Sequence, residues 1–210
     1  MLSYYFEDNI PLFGCSLCGK CDGFIESTSL IHIKNRGCCW YFPKYTLMDL
    51  KNILSIGRVD FIHELKENEK TVISNYHLEV KGYFDEEGYN NYGVKTIEDF
   101  DTKLFFRLCP FSTEKGCSID FKLRPHPCNL YLCRKVIDYC GDEYRMFSKE
   151  RRDYYSYMNY FNELLKRELI DKKIDLIKDF DKTIEFISKY EVPKFEPRKL
   201  NSLSFARRAG

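Results

Sequence analysis

The chain has 210 residues and carries 33 Lys and Arg against 32 Asp and Glu, a formal net charge of +1. It lacks the basic excess that lets phosphate contacts dominate an interaction, and no uninterrupted apolar run approaches the roughly 20 residues that cross a bilayer, so neither a nucleic-acid partner nor a membrane span is expected. Ten cysteines, eight in two dense blocks and two as an adjacent pair, set the composition apart.

Met1 to Pro11 reads MLSYYFEDNIP, with no basic start, no apolar core and no small-residue cleavage site. A secretory signal is therefore not expected, and a cytoplasmic location is. The first cysteine block, Cys15-Ser16-Leu17-Cys18-Gly19-Lys20-Cys21, sits in a stretch punctuated by Gly14, Gly19 and Gly23, which reads as a loop. A short apolar run around Leu30 to Ile33 reads as a strand, and Cys38 and Cys39 follow in RGCCWYFP. Thr46-Leu-Met-Asp49 has the form of a capping box with Asp in place of Glu, and Leu47, Leu50, Ile53 and Leu54 recur at helical spacing until Gly57. This predicts a helix over 46–56. Alternation from Val72 to Val80, broken at Ile73 and Ser74, predicts one strand of period two. Lys103 to Leu108 is strand-like as well; pairing back on 76–84 across the polar stretch 85–102, it would deliver Cys109 to a site.

The second block contains Cys109, Cys117, Cys128 and Cys133, with Cys140 shortly after. Beyond it, Tyr154, Tyr157, Met158, Phe161, Leu164, Leu165 and Leu169 form one helical stripe, and Ile174, Ile177, Phe180, Ile184 and Ile187 another. These predict amphipathic helices over 149–169 and 172–189, packed as a hairpin or onto the cysteine domain. From Glu191 onward five basic residues oppose two acidic ones, and the segment reads as a solvated end. The expected fold class is α+β, mostly helical and irregular, with a metal-stabilised cysteine-cluster domain over 1–145 that includes a small β-hairpin. A C-terminal helical arm over 146–192 and a tail over 193–210 complete it.

Disulfides are the first rival explanation of the cysteines, since an even count suits a secreted framework. A chain this long buries a sizeable core unaided, and in a reducing compartment clustered thiols hold metal or do chemistry. Three thiols separated by two residues each can be aimed by one loop at a single point. Structural zinc usually takes paired C-x2-C knuckles. A C-x2-C-x2-C run is closer to the three-thiolate loop of a [4Fe-4S] cube, whose remaining ligand can be a remote Cys followed by Pro, the form of Cys109-Pro110. The ferredoxin continuation C-x3-C-P and the radical-enzyme spacing C-x3-C-x2-C are both absent. Glycines flank Cys15, Cys18, Cys38, Cys117 and Cys140, and Arg36, Arg107, Arg124 and Arg134 lie within four residues of a cysteine. Close backbone N–H groups and fixed cations suit an anionic sulfur-rich centre; singly, each such residue reads as an ordinary turn glycine or surface arginine.

CSLCGKC near the start, with CPF, GCSID and LRPHPCNLYLC downstream, resembles the YkgJ-like cysteine-cluster family, the CxxCxxCC zinc- or iron-chelating proteins. The likeness runs over about residues 14–134, interrupted by a long insertion between Ile56 and Phe105. Cys15, Cys18 and Cys21 match the first three positions of the family pattern, and Cys109, Cys117 and Cys128 match the downstream set around Arg124-Pro125. Asp22 stands where the family completes its doublet. In this chain a doublet occurs at Cys38-Cys39, shortly before the Thr46 helix, as the family's doublet precedes its own helix; Asp22 remains a candidate oxygen ligand. The group includes flagellin lysine methylases, so the resemblance also implies a protein-modifying enzyme as an alternative, although no GxGxxG follows a strand here.

His126, between Pro125 and Pro127, is a candidate ligand or part of a rigid turn; Trp40 shields a centre or anchors the core. Glu64, Glu67 and Glu69 read as a solvated face, like Asp85 to Glu87. The expected function is an iron–sulfur protein, [4Fe-4S] favoured, with metal ligands Cys15, Cys18, Cys21, Cys38, Cys39, Cys109, Cys117, Cys128 and Cys133, and a redox or electron-transfer role with a protein partner. Nine thiolates leave room for two centres, since each needs four. The zinc alternative is a structural or interaction module.

Overall fold

The computed structural model describes residues 1–16, 24–28, 31–34, 42–92, 96–97, 100–101, 103, 106–113 and 116–205. Strands β1 (Leu2–Glu7) and β2 (Ile10–Cys15) form a hairpin in register from Leu2↔Cys15 to Glu7↔Ile10. Its two-residue turn places Asp8 and Asn9 at φ 53° and 64°. Asp and Asn tolerate that left-handed backbone because their short side chains bond locally, and such a turn matches the twist of the flanking strands. A second hairpin, β3 (Phe24–Thr28) with β4 (Ile31–Lys34), includes the strand expected around 30–33.

Strand β5 (Lys44–Thr46) runs into helix α1 (Leu47–Ser55) through the capping box expected from the sequence. The Asp49 N–H donates to Thr46 Oγ1 at 3.2 Å, and the Thr46 N–H donates to Asp49 Oδ2 at 2.9 Å. The buried face of α1 carries Leu47, Met48, Leu50 and Ile53. Helix α2 (Val59–Glu67) buries Phe61, Ile62 and Leu65, an i, i+1, i+4 pattern hidden in the sequence by the acidic residues between them.

The alternating run 72–80 is a hairpin rather than one strand. Strands β6 (Thr71–Ser74) and β7 (His77–Val80) turn at Asn75 and Tyr76, next to the point where the alternation breaks, and β5 completes the sheet in the order β5-β7-β6. Strand β8 (Tyr83–Phe84) then pairs antiparallel with β11 (Arg107–Leu108), the pairing expected between 76–84 and 103–108, realised over two residues each. Between them lie α3 (Glu86–Tyr92) and the short pair β9 (Thr96–Ile97) and β10 (Phe100–Asp101).

After the cysteine-bearing segment, α5 (Arg134–Cys140) leads into α6 (Tyr144–Asp171), which begins before the predicted 149 and buries Phe147, Tyr154, Met158, Leu165 and Leu169. The second helix is shorter than predicted: α7 covers Phe180–Lys189. Lys173 adopts φ 58°, and Asp175 Oδ1 accepts from the N–H groups of Ile177 and Lys178, each at 2.9 Å, so 172–179 is a capped turn. Ile177 is accordingly exposed, whereas Ile174 and Leu176 enter the core. This turn docks on the β6–β7 turn through Leu176 N–H to the Asn75 carbonyl at 3.0 Å and Asn75 Nδ2 to Asp175 Oδ2 at 3.1 Å. Both α6 and α7 pack against α1. The chain is therefore a mixed α+β protein with small antiparallel sheets and a C-terminal helical region, and no described helix is long and apolar enough to cross a membrane.

The segment after Glu191, read as a solvated end, is instead strapped across the protein as far as Phe205. Leu2 and Leu203 exchange two backbone hydrogen bonds of 2.8 Å, Tyr157 Oη donates to the Pro193 carbonyl, and the Phe195 ring meets Tyr154 edge-on at 5.0 Å. Glu150, fully buried on α6, accepts from Tyr4 Oη (2.7 Å), Arg198 N–H (3.2 Å) and Arg198 Nη1 (2.9 Å), and Arg198 also pairs with Asp153. A buried carboxylate needs those donors. Arg198→Ala removes the guanidinium from Glu150 and is expected to lower stability by about 1–3 kcal/mol, read as a lower urea midpoint with an unchanged slope.

Candidate metal centre

Cys109 follows β11 directly and is buried. Its carbonyl accepts from the Ser112 N–H at 3.0 Å, and Ser112 is the cross-strand partner of Cys117 in the hairpin of β12 (Ser112–Thr113) and β13 (Gly116–Cys117). Gly116 stands at φ 111°, a backbone region that favours glycine, and Ser118 N–H closes the loop onto the Phe111 carbonyl at 2.8 Å. One small knuckle thus carries both Cys109 and Cys117. The chain continues through a single 3-10 turn, Phe121–Leu123, whose capping Asp120 accepts from Lys122 N–H, and Arg124 Nε donates to the Ile119 carbonyl at 2.7 Å. Arg124 is thereby used to hold the loop.

The Pro125-His126-Pro127 turn opens helix α4 (His126–Asn129), which carries Cys128, and Cys133 stands at the N-cap position of α5 without a side-chain capping bond. His126 is buried and does not lie on the surface of its turn. Both its N–H (2.9 Å) and its ring Nδ1 (3.0 Å) meet Asp49 Oδ1, while Asp49 Oδ2 takes the Thr46 N–H and hydroxyl. Burial pushes the Asp49 carboxyl up, but the His126 ring and the N–H groups of His126 and Thr46 outweigh it and hold the acid below its usual range. An ionised carboxylate only accepts, so Nδ1 carries the imidazole proton. One buried side chain therefore closes the α1 cap and locks the Cys128 helix onto it.

Tyr45 on β5 completes this region. It is fully buried, its ring packs edge-on to Phe61 at 6.1 Å, and its hydroxyl has no hydrogen-bond partner among the described residues. Burial raises its pKa well above the phenolic value, and negative charge at Cys128, Asp49, Cys117 and Cys109 adds to that. Charge at Cys128 also bears on half-buried Tyr155, pushed up to about 12 chiefly by burial. Of the downstream set Cys109 is buried, and Cys117 and Cys128 are partly exposed.

Cys15 ends β2 opposite Leu2 and lies near Cys140, whose thiol is pushed up by burial and by charge at Cys15 and Glu143 against the pull of the N-terminal amine. Cys18, Cys21, Cys38 and Cys39, with Asp22, Arg36 and Trp40, lie outside the described residues. No disulfide joins two described residues. Among the described residues no three His, Cys, Asp or Glu side chains gather closely enough to hold a metal ion. The donor chemistry of Cys109, Cys117 and Cys128, the first two on one knuckle, suits a thiolate-ligated group.

The sequence pointed to the cysteines but not to Tyr45 or to the second role of Asp49. The capping-box pattern marks Asp49 only as a local cap; nothing near it in sequence announces His126. No family model matches the chain, and comparisons with curated proteins and with solved structures likewise found no match.

Proposed function

We propose that the protein holds one or two iron–sulfur clusters of the [4Fe-4S] type and works in electron transfer or a redox step in the cytoplasm with a protein partner. The ligands in this reading are Cys15, Cys18 and Cys21, completed from Cys38, Cys39, Cys109, Cys117, Cys128 and Cys133. The observation that supports it is that Cys109 and Cys117 share one small knuckle, closed by the Ser112 N–H on the Cys109 carbonyl and by the Ser112–Cys117 strand pair, while the helix of Cys128 is pinned through His126 to Asp49. A bound cluster of this kind supplies one-electron transfer. The chain's own contribution is to hold the sulfur atoms on two braced loops, one by the Ser112 N–H and one by Asp49, and to keep water from Cys109.

The test is an absorption spectrum of protein purified without oxygen, with iron, zinc and acid-labile sulfide analysis. A brown protein with a broad band near about 400 nm and sulfide matching iron is expected. A colourless protein with stoichiometric zinc would replace this reading by the structural zinc module.

A further inference from the structure

A groove of about 1050 Å³ lies between α1, the tip of the β1–β2 hairpin and residues 188–195, and no cysteine lines it. Its walls are held by hydrogen bonds. Asn9 donates from Nδ2 to Tyr157 Oη at 3.1 Å and accepts the Phe195 N–H on Oδ1 at 2.9 Å, and Tyr157 Oη donates to the Pro193 carbonyl. Lys51 Nζ ties α1 to the same segment through the Ser188 carbonyl at 2.8 Å. The groove is therefore preformed, as ligand sites usually are. Asn52 lines it from α1 and is only 8% exposed. Its Nδ2 donates to Tyr154 Oη at 3.1 Å, and that hydroxyl gives its own proton to the Asn9 carbonyl at 2.9 Å. Tyr154 can thus only accept from Asn52, which fixes the orientation of the amide, and no described residue donates to Asn52 Oδ1. A buried amide oxygen left in that state calls for an N–H or O–H from a ligand or from water.

Phe6, Tyr157 and Phe195 give the groove an aromatic wall, with ring centroids 6.0 Å apart for Phe6 and Phe195 and 5.4 Å for Tyr157 and Phe195. Its charges do not balance. Asp8 is paired with Lys122 and Lys189 with Glu185, which leaves the ammonium groups of Lys51 and Lys194 against the single carboxylate of Glu191. Lys51 uses one of its three donors on Ser188, and Lys194 has no ion-pair partner among the described residues. We propose that this groove binds a planar aromatic acid carrying one N–H or O–H donor. The ring lies against Phe6, Tyr157 and Phe195, the donor serves Asn52 Oδ1, and the carboxylate faces Lys51 and Lys194. Aromatic surface favours such a molecule over water or an inorganic anion, because the ring is buried and stacked while a few placed polar groups set its orientation. None of these residues is a proposed metal ligand, so the inference stands apart from the metal-binding reading.

The experiment titrates the full chain with indole-3-acetate by calorimetry and repeats it with two analogues, 1-naphthylacetate, which lacks the ring N–H, and indole, which lacks the carboxylate. Indole-3-acetate is expected to bind one to one and about tenfold more tightly than either analogue, the loss that one missing polar contact produces. Lys194→Ala should weaken both acids and leave indole unchanged. Ser55→Phe places a ring in the groove from an exposed position whose hydroxyl bonds only within its own helix. It should abolish binding of all three without moving the melting temperature. Failure of indole-3-acetate to bind, equal affinity for the three compounds, or binding that survives Ser55→Phe would each overturn the assignment.

Discussion

Cys128→Ser is expected to strip most of the bound metal and its chromophore, whereas Cys140→Ser leaves both in place. Cys128 belongs to the downstream set, on a helix pinned by Asp49, so on the metal-binding reading its sulfur has little freedom to be replaced by another donor. A serine hydroxyl at that position stays protonated at neutral pH and is a poor ligand for soft metal sites. Cys140 is buried and its thiol is pushed up, which favours the protonated form that does not coordinate. Metal and sulfide analysis of the two variants purified in parallel without oxygen checks the contrast. Equal metal content in both would eliminate Cys128 as a ligand.

Asp49→Asn is expected to be strongly destabilising. The carboxylate is buried and accepts from Thr46 twice and His126 twice, and an amide presents two N–H donors where half of those acceptors stood. Breaking a buried pair by removing one partner typically costs about 3–5 kcal/mol, enough to consume much of the stability of an ordinary domain. The effect has a pH signature. Because folding holds this acid below its usual range, its contribution is complete above the unfolded value of about 3.9 and is lost as pH falls through the folded value. Urea titrations should therefore show a large gap between parent and variant at neutral pH that narrows in acid. A gap constant with pH would show that the loss comes from packing and not from the charge.

Much of the local structure was legible in the chain. Thr46 to Asp49 announced the start of α1, and Leu47, Leu50 and Ile53 its buried face, because a cap and a helical stripe are satisfied within a few residues. The stripe through Tyr154, Met158, Leu165 and Leu169 likewise marked α6. The α7 boundary was missed because Ile174 and Ile177 extend its periodicity through a turn set by Lys173 and the Asp175 side chain. The 72–80 alternation continues on both sides of a tight turn, so periodicity alone did not separate β6 from β7.

By itself the sequence determined that cysteine number and spacing set this chain apart, since both are properties of the chain. The tertiary structure alone decided which residues surround the downstream cysteines. Asp49 and His126 are 77 residues apart and Tyr4 and Glu150 146, and no local pattern encodes such a meeting. These contacts arise because burial removes water from polar groups and leaves them only the partners that packing brings within reach. The rule has exceptions: the buried hydroxyls of Tyr45, Thr71 and Thr183 find no partner among the described residues.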